Sequence, residues 1–96
     1  SEIFEKISAD FAADIPDLKN MLARFEGNGL DYHLTKFRIL LLKDLLLQVE
    51  EQYKEALSHI EEISTHPSAI TDQKIKEIFD YRNSLQVKIM TLEKDI

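Results

Sequence analysis

Cysteine is absent from the chain, and glycine and proline occur only twice each among its 96 residues. Without cysteine there is no disulfide framework and no thiolate chemistry. So few glycines and prolines leave few turns, and no segment shows the strict alternation of apolar and polar residues that marks a half-buried strand. These absences exclude a multi-stranded sheet and predict an all-α fold. A cysteine-free chain also suits a reducing compartment, so we expect a cytoplasmic location.

Long apolar runs and an excess of positive charge are also missing. The most apolar stretch, residues 39–49, is interrupted by Lys43 and Asp44 and is much shorter than the ~20 residues that a membrane-spanning helix needs. The formal net charge is −6, and the acidity lies mainly in the first two thirds of the chain. Because an acidic field repels phosphate, we expect no direct binding to nucleic acid or to an anionic membrane.

The second half of the sequence contains two series of apolar residues spaced alternately by three and four. The first series is Ile39, Leu42, Leu46, Val49, Tyr53, Ala56, Ile60 and Ile63, and the second is Ile75, Ile78, Arg82, Leu85, Ile89, Leu92 and Ile96. They predict a long antiparallel helical hairpin with a coiled-coil-like seam. Its long helix covers residues 31–65, and its C-terminal helix covers 71–96. Folding the second helix back on the first brings Ala56 close to Arg82.

The first 30 residues carry two shorter apolar stripes. Proline disfavours helical geometry at the residue before it, so Pro16 predicts a break that divides this region into two short helices. Packed on the open end of the hairpin, they would give a four-helix bundle-like fold in one domain, residues 1–96. The first half of the long helix is apolar on nearly every side, so we expect other elements to enclose it. Asp31 is its predicted N-cap.

The ionisable side chains offer one candidate metal site. Glu55, His59, Glu62 and His66 follow at steps of four, three and four and could share one face of the long helix. Di-metal sites in helical bundles need Glu-x-x-His motifs on partner helices, and the sequence contains no such motif. No serine lies in a glycine-flanked nucleophile elbow. We therefore predict no catalytic residue, no metal and no cofactor, and we interpret these side chains as a solvated helix face.

Several apolar residues lie outside the predicted seam. Val87 and Met90 do so in the C-terminal helix, and Leu40 and Leu47 in the long helix. They are either part of the core of a four-helix arrangement or an exposed surface for a partner. We predict that a partner, or a second copy of the chain, covers Asn83, Val87 and Met90. Leu40 and Leu47 form the alternative surface.

Arg82 is the only charged residue in the two seam series. One interpretation is an arginine at the edge of the core, either paired with an acid or extended towards solvent. The other is a buried polar residue that sets helix register or partner choice. We include Arg82 among the predicted partner-binding residues as a determinant of specificity.

The segment from Pro67 through Tyr81-Arg82-Asn83 resembles the carboxy-terminal helix of type III secretion needle and rod subunits. In those subunits, too, a helix with a Tyr-Arg-Asn-like sequence follows a proline-containing turn. The resemblance covers less than a third of the chain. The leucine-rich long helix and the amino-terminal region depart from those minimal hairpins, so we do not assign the chain to that family.

These features favour a non-catalytic protein–protein interaction module, such as an adaptor, a small chaperone or an assembly subunit. Self-association fits the same apolar surface, and no small-molecule substrate is evident. One alternative is a regulatory module of a transcription or DNA-processing complex that acts by protein contact. The other is a metal-dependent enzyme built on Glu55 and His59, for which the sequence lacks a second Glu/His set.

Overall fold

The computed structural model describes residues 2–26 and 35–94, and within them the secondary structure is entirely helical. Helix α1 covers Glu2–Glu26, α2 covers Lys36–Ser64 and α3 covers Asp72–Lys94. A single 3-10 turn, Pro67–Ala69, lies between α2 and α3. The prediction of an all-α fold is confirmed.

Two threonines define where α2 and α3 begin. The Thr35 hydroxyl oxygen accepts a hydrogen bond from the Arg38 backbone N–H at 3.1 Å, and Thr71 does the same for Lys74 at 3.1 Å. Each bond satisfies one of the N–H groups left without a partner at a helix start. The long helix therefore begins later than its predicted start, and Asp31, its predicted N-cap, lies outside the described residues.

The core is a continuous apolar column along a rod of 52 × 18 × 17 Å. Each of the three helices contacts both of the others. The buried side chains are Phe4, Ile7, Phe11, Leu18, Leu22 and Phe25 of α1, Leu42, Leu46, Val49, Tyr53, Ile60 and Ile63 of α2, and Ile78, Leu85 and Leu92 of α3. Every buried residue of α2 and α3 belongs to the predicted seam. Ile96, its last predicted member, lies outside the described residues.

Helices α2 and α3 run in opposite directions. Late α2 residues such as Ile60 border the same groove as the early α3 residue Ile78. Towards the other end, the Lys88 ammonium group donates a hydrogen bond to the Gln52 side-chain oxygen at 3.4 Å. This arrangement follows from the short connection after α2, which returns the chain alongside the helix it has just left.

The prediction of two short amino-terminal helices is wrong, because α1 continues through Pro16 as one helix. An interior proline removes a backbone hydrogen bond and costs about 3 kcal/mol. Here the apolar stripe of α1 is buried on both sides of the proline, from Phe11 to Leu18, while Pro16 itself is exposed. Burial of a fully covered Phe or Leu contributes about 1.5–3 kcal/mol, so packing outweighs the local preference for a break.

The four-helix arrangement is also not what the structure shows, since the described residues form three α-helices. Two short helices folded against the hairpin could have enclosed the first half of α2, as predicted. Among the described residues, Phe37, Leu40, Leu41 and Leu47 are exposed, although the apolar sequence led us to expect cover on several sides.

Candidate interaction site

A bidentate ion pair joins α1 to α3 at the predicted seam position. Arg82 Nε donates to Asp14 Oδ2 at 2.8 Å, and a second guanidinium nitrogen donates to Asp14 Oδ1 at 2.9 Å. Both side chains are largely covered. The hydrogen bonds to Asp14 raise the pKa of Arg82 above its ordinary value. Arg82 is thus a paired arginine at the edge of the core, and its guanidinium is directed to α1.

Tyr53 lies next to this pair at the centre of the bundle. Its ring is fully buried and meets the Phe11 ring edge-on, with centroids 5.7 Å apart. No group of the described residues lies at hydrogen-bonding geometry to its hydroxyl. Burial, and then the nearby Asp14 carboxylate, raise the pKa of Tyr53. The hydroxyl is therefore protonated, and the Asp14 carboxylate is an acceptor within its reach.

The predicted partner-binding residues of α3 are exposed. Val87 is 61% exposed and Met90 is 59% exposed, and Asn83 is also on the surface. The structure adds Phe79, which is 51% exposed and lies four residues before Asn83. At about 100° of rotation per residue, these four side chains share one side of the helix. We call Phe79, Asn83, Val87 and Met90 the outer face of α3.

Leu40 and Leu47, the alternative surface, lie on a different side of the bundle. Leu45 borders the groove between α2 and α3. Two residues further along an α-helix correspond to about 200° of rotation, so Leu47 lies on the opposite side of α2 from Leu45. Phe37 and Leu40 are exposed near Leu47 along the same helix. The Leu40/Leu47 surface and the outer face of α3 are therefore two separate surfaces.

Two shallow grooves flank the outer face of α3. Met90 borders a groove between α1 and α3 of about 300 Å³, together with Met21 of α1. Val87 borders a groove between α2 and α3 of about 330 Å³, together with Leu45 of α2. The end of the outer face that carries Val87 and Met90 is thus bounded on each side by a depression that a partner side chain could enter.

The described residues show no metal centre and no membrane-crossing element. Within residues 2–26 and 35–94, no group of three or more His, Cys, Asp or Glu side chains is placed to hold a metal ion. His59 and His66 are both exposed. In the same part of the chain, no helix combines the length and the apolar content that crossing a bilayer requires.

Sequence reasoning missed Asp14 and Phe79. Asp14 lies three residues after Phe11 and four before Leu18, at a core-facing position of α1. An acid at such a position matches the base at Arg82, and this signal is visible once α1 is treated as one helix. Phe79 lies one residue after the seam residue Ile78, and the step of four to Asn83 places it on the same helix face as Asn83.

Comparison of the chain with protein-family models, with curated proteins and with solved structures found no match. The resemblance of residues 67–83 to secretion needle and rod subunits therefore has no support from these comparisons. Any functional assignment rests on the geometry of the chain itself.

Proposed function

We propose that this chain is a non-catalytic protein–protein interaction module that binds a partner, or a second copy of itself, through the outer face of α3. Adaptors, small chaperones and assembly subunits are the functional types that this description covers. The observation that carries the proposal is the exposure of three large apolar side chains, Phe79, Val87 and Met90, on one side of a single helix.

The spacing of these side chains is typical of helix recognition. Phe79, Asn83, Val87 and Met90 follow at steps of four, four and three. Amphipathic helices dock into grooves, or pair with other helices, through anchors at such intervals. Scattered single apolar residues are normal on a protein surface, but a series along one helix face favours an interaction site. Asn83 adds a hydrogen-bonding group within an otherwise apolar series.

The rest of the bundle supplies a rigid support for this face. We infer that the seam between α2 and α3 packs in the manner of a coiled coil, because its buried residues keep the heptad spacing, as Ile78, Leu85 and Leu92 show. The opposite side of α3 is thereby fixed to the core. A helix held in this way presents its outer side chains without the entropy cost of ordering its backbone on binding, so only the side chains lose freedom.

Val87→Glu and Met90→Glu should each weaken association, either with a partner or between copies of the chain. A carboxylate in an apolar contact must be desolvated without a compensating partner, which is costly. Neither residue is buried in the isolated chain, so the fold should be retained. We would measure association by size-exclusion chromatography with light scattering, and helicity by circular dichroism.

Ser58→Glu is the matched control for these two variants. Ser58 is exposed, but it lies on α2 and borders neither of the grooves beside the outer face of α3. It should add the same charge without affecting association. If Val87→Glu and Met90→Glu associate as the wild type does, with intact helicity, the outer face of α3 is not the binding surface and the Leu40/Leu47 surface replaces it.

A further inference from the structure

The exposed side of α3 carries a stripe of residues whose spacing is the same in both directions. The outer face of α3 is continued at its ends by the exposed residues Asp72, Lys76 and Lys94, and we call the whole set the α3 stripe. Its members follow at steps of four, three, four, four, three and four residues. At about 100° per residue, all of them lie within about 40° of the direction of Asn83. Asn83 is therefore the centre of a symmetric pattern.

A stripe with this symmetry is complementary to a second copy of itself in the antiparallel orientation. A two-fold axis through Asn83 places each residue opposite the one that lies equally far beyond Asn83 in the other copy. Phe79 then faces Val87 of the second copy, and Lys76 faces Met90 of the second copy. In an isologous interface each such contact occurs twice, so the centre of the pair is apolar on both sides of the axis.

The charges at the two ends of the α3 stripe favour the antiparallel orientation. Asp72 lies in the first turn of α3 and Lys94 in the last turn. About the same axis, Asp72 faces Lys94 of the second copy, so opposite charges meet at both ends of the pair. In a parallel pair each of these residues would face its own equivalent, and like charges oppose association.

Helix α3 is also where two copies of an acidic chain can approach with the least repulsion. The chain has a formal net charge of −6, but α3 contains five basic and four acidic side chains. Acids outnumber bases in both α1 and α2. Contact through α3 keeps those two acidic helices of each copy away from the interface, where their mutual repulsion is weaker.

The groove between α2 and α3 offers room for the largest side chain of the α3 stripe. Val87, Leu45 and Leu92 are among the residues that line this groove of about 330 Å³. Because Phe79 of the second copy faces Val87, its ring lies at the mouth of the groove. A side chain inserted between residues of a facing helix is the packing unit of coiled coils, and a buried aromatic ring is a typical anchor of an interface.

Asn83 lies on the axis and faces Asn83 of the second copy. An amide side chain has both donors and an acceptor, so two facing amides can form reciprocal hydrogen bonds. A single polar residue within an apolar helix contact fixes register and orientation. A shifted register would place the amide against apolar side chains, where its hydrogen bonds would be lost.

We propose that two copies of the chain associate through the outer face of α3 as an antiparallel, two-fold symmetric dimer centred on Asn83. This inference rests on the proposed function, because it identifies a second copy of the chain as the partner of that surface. It also specifies the register, in which Phe79 contacts Val87 and Asp72 contacts Lys94 of the second copy.

The register can be tested with introduced cysteines, since the chain has none of its own. Asn83→Cys should form a disulfide-linked dimer on mild oxidation, because residue 83 meets its equivalent on the axis. Val87→Cys is the matched control. Its two copies lie about 12 Å apart along the helix direction, which exceeds the ~7 Å between Cα atoms that a disulfide can span. Lys76→Cys combined with Met90→Cys should form the linked dimer, whereas neither substitution alone should. Non-reducing electrophoresis gives the yields.

Exchange of the end charges tests the orientation independently. Asp72→Lys and Lys94→Asp should each weaken the dimer roughly three- to tenfold at low salt, because like charges then meet at both ends. The double variant should recover the wild-type affinity, since opposite charges again face each other. Ser58→Glu, at an exposed position of α2, should leave the affinity unchanged. Light scattering over a dilution series gives the dimer affinity, and circular dichroism checks that helicity is retained.

Several results would overturn this inference. Equal yields of linked dimer from Val87→Cys and Asn83→Cys would reject the antiparallel register, and so would a double charge variant that associates no better than the single ones. A chain that stays monomeric at millimolar concentration would reject the second copy as the partner. If Val87→Glu still weakened binding of that monomer to another protein, the proposed function would stand without this inference. A dimer that Val87→Glu and Met90→Glu leave unchanged would contradict both.

Discussion

Replacing Leu46 or Leu85 by alanine should lower the free energy of unfolding by about 2–5 kcal/mol. Both side chains have no exposed surface, so truncation removes apolar burial and leaves a cavity in a close-packed interior. We expect Leu46→Ala to be the more destabilising, since α1 packs along α2 and shares the contact with α3. Chemical denaturation followed by circular dichroism gives both values.

Leu47→Ala is the control for these core variants. Leu47 follows Leu46 directly and loses the same atoms, but it is exposed. Its substitution should change the free energy of unfolding by no more than about 0.5 kcal/mol. If Leu46→Ala and Leu85→Ala also remained within that range, the seam between α2 and α3 would not be the core of the fold.

Breaking the ion pair between α1 and α3 should have the next largest effect. Arg82→Met leaves the Asp14 carboxylate, whose side chain is only 13% exposed, without its counter-charge. We expect a loss of about 1–3 kcal/mol, below the range for fully buried pairs because solvent still reaches this one. The double variant Asp14→Leu with Arg82→Met should recover most of the loss, since no charge then remains unpaired.

The chain provides its own exposed comparison for this pair. Lys76 and Asp80 also lie 2.8 Å apart, with side chains 71% and 56% exposed. Solvent screens such pairs, so Lys76→Met should cost no more than about 0.5 kcal/mol. A double-variant cycle at residues 14 and 82 that proves additive, or an Arg82→Met cost as small as that of Lys76→Met, would contradict a role for Arg82 in holding α1 to α3.

The seam was predictable because heptad spacing is a direct consequence of burying one side of a helix. Leu42, Leu46 and Val49 are buried where the three–four spacing predicted them, as are Ile78, Leu85 and Leu92. This signal is repeated over many turns, so no single residue decides it. The helix boundaries, in contrast, depend on single capping groups. The predicted N-cap of the long helix was Asp31, whereas α2 has Thr35 as its N-cap.

The continuous helix in the amino-terminal region could not be predicted from the tendency of proline to break a helix. The effect of Pro16 on its neighbours is local, whereas continuation of α1 depends on burial of residues on both sides of the proline. The spacing of seven between Phe11 and Leu18 preserves the stripe across Pro16 and was the better guide. With α1 divided, Asp14 lay at a helix terminus, and its pairing with Arg82 could not be foreseen.

The exposed surfaces could be placed on helix faces, but their exposure could not be derived. An apolar residue outside the seam is covered or exposed according to how many neighbours the bundle provides. Leu40 and Leu47 would be covered if they belonged to the core of a four-helix arrangement, and they are exposed among the three described helices. Helix count is a tertiary property, and the periodicity of one helix does not determine it.

A photoreactive amino acid incorporated at Asn83 gives the most direct test of the central claim, that the outer face of α3 is a binding surface. We expect it to form one discrete adduct, with a second copy of the chain or with a partner in an extract of the source cells. The adduct should disappear when Val87→Glu is added. The same amino acid at Ser58, which is exposed on α2, should not form it. Identical adducts from both positions, or none from Asn83, would contradict the account.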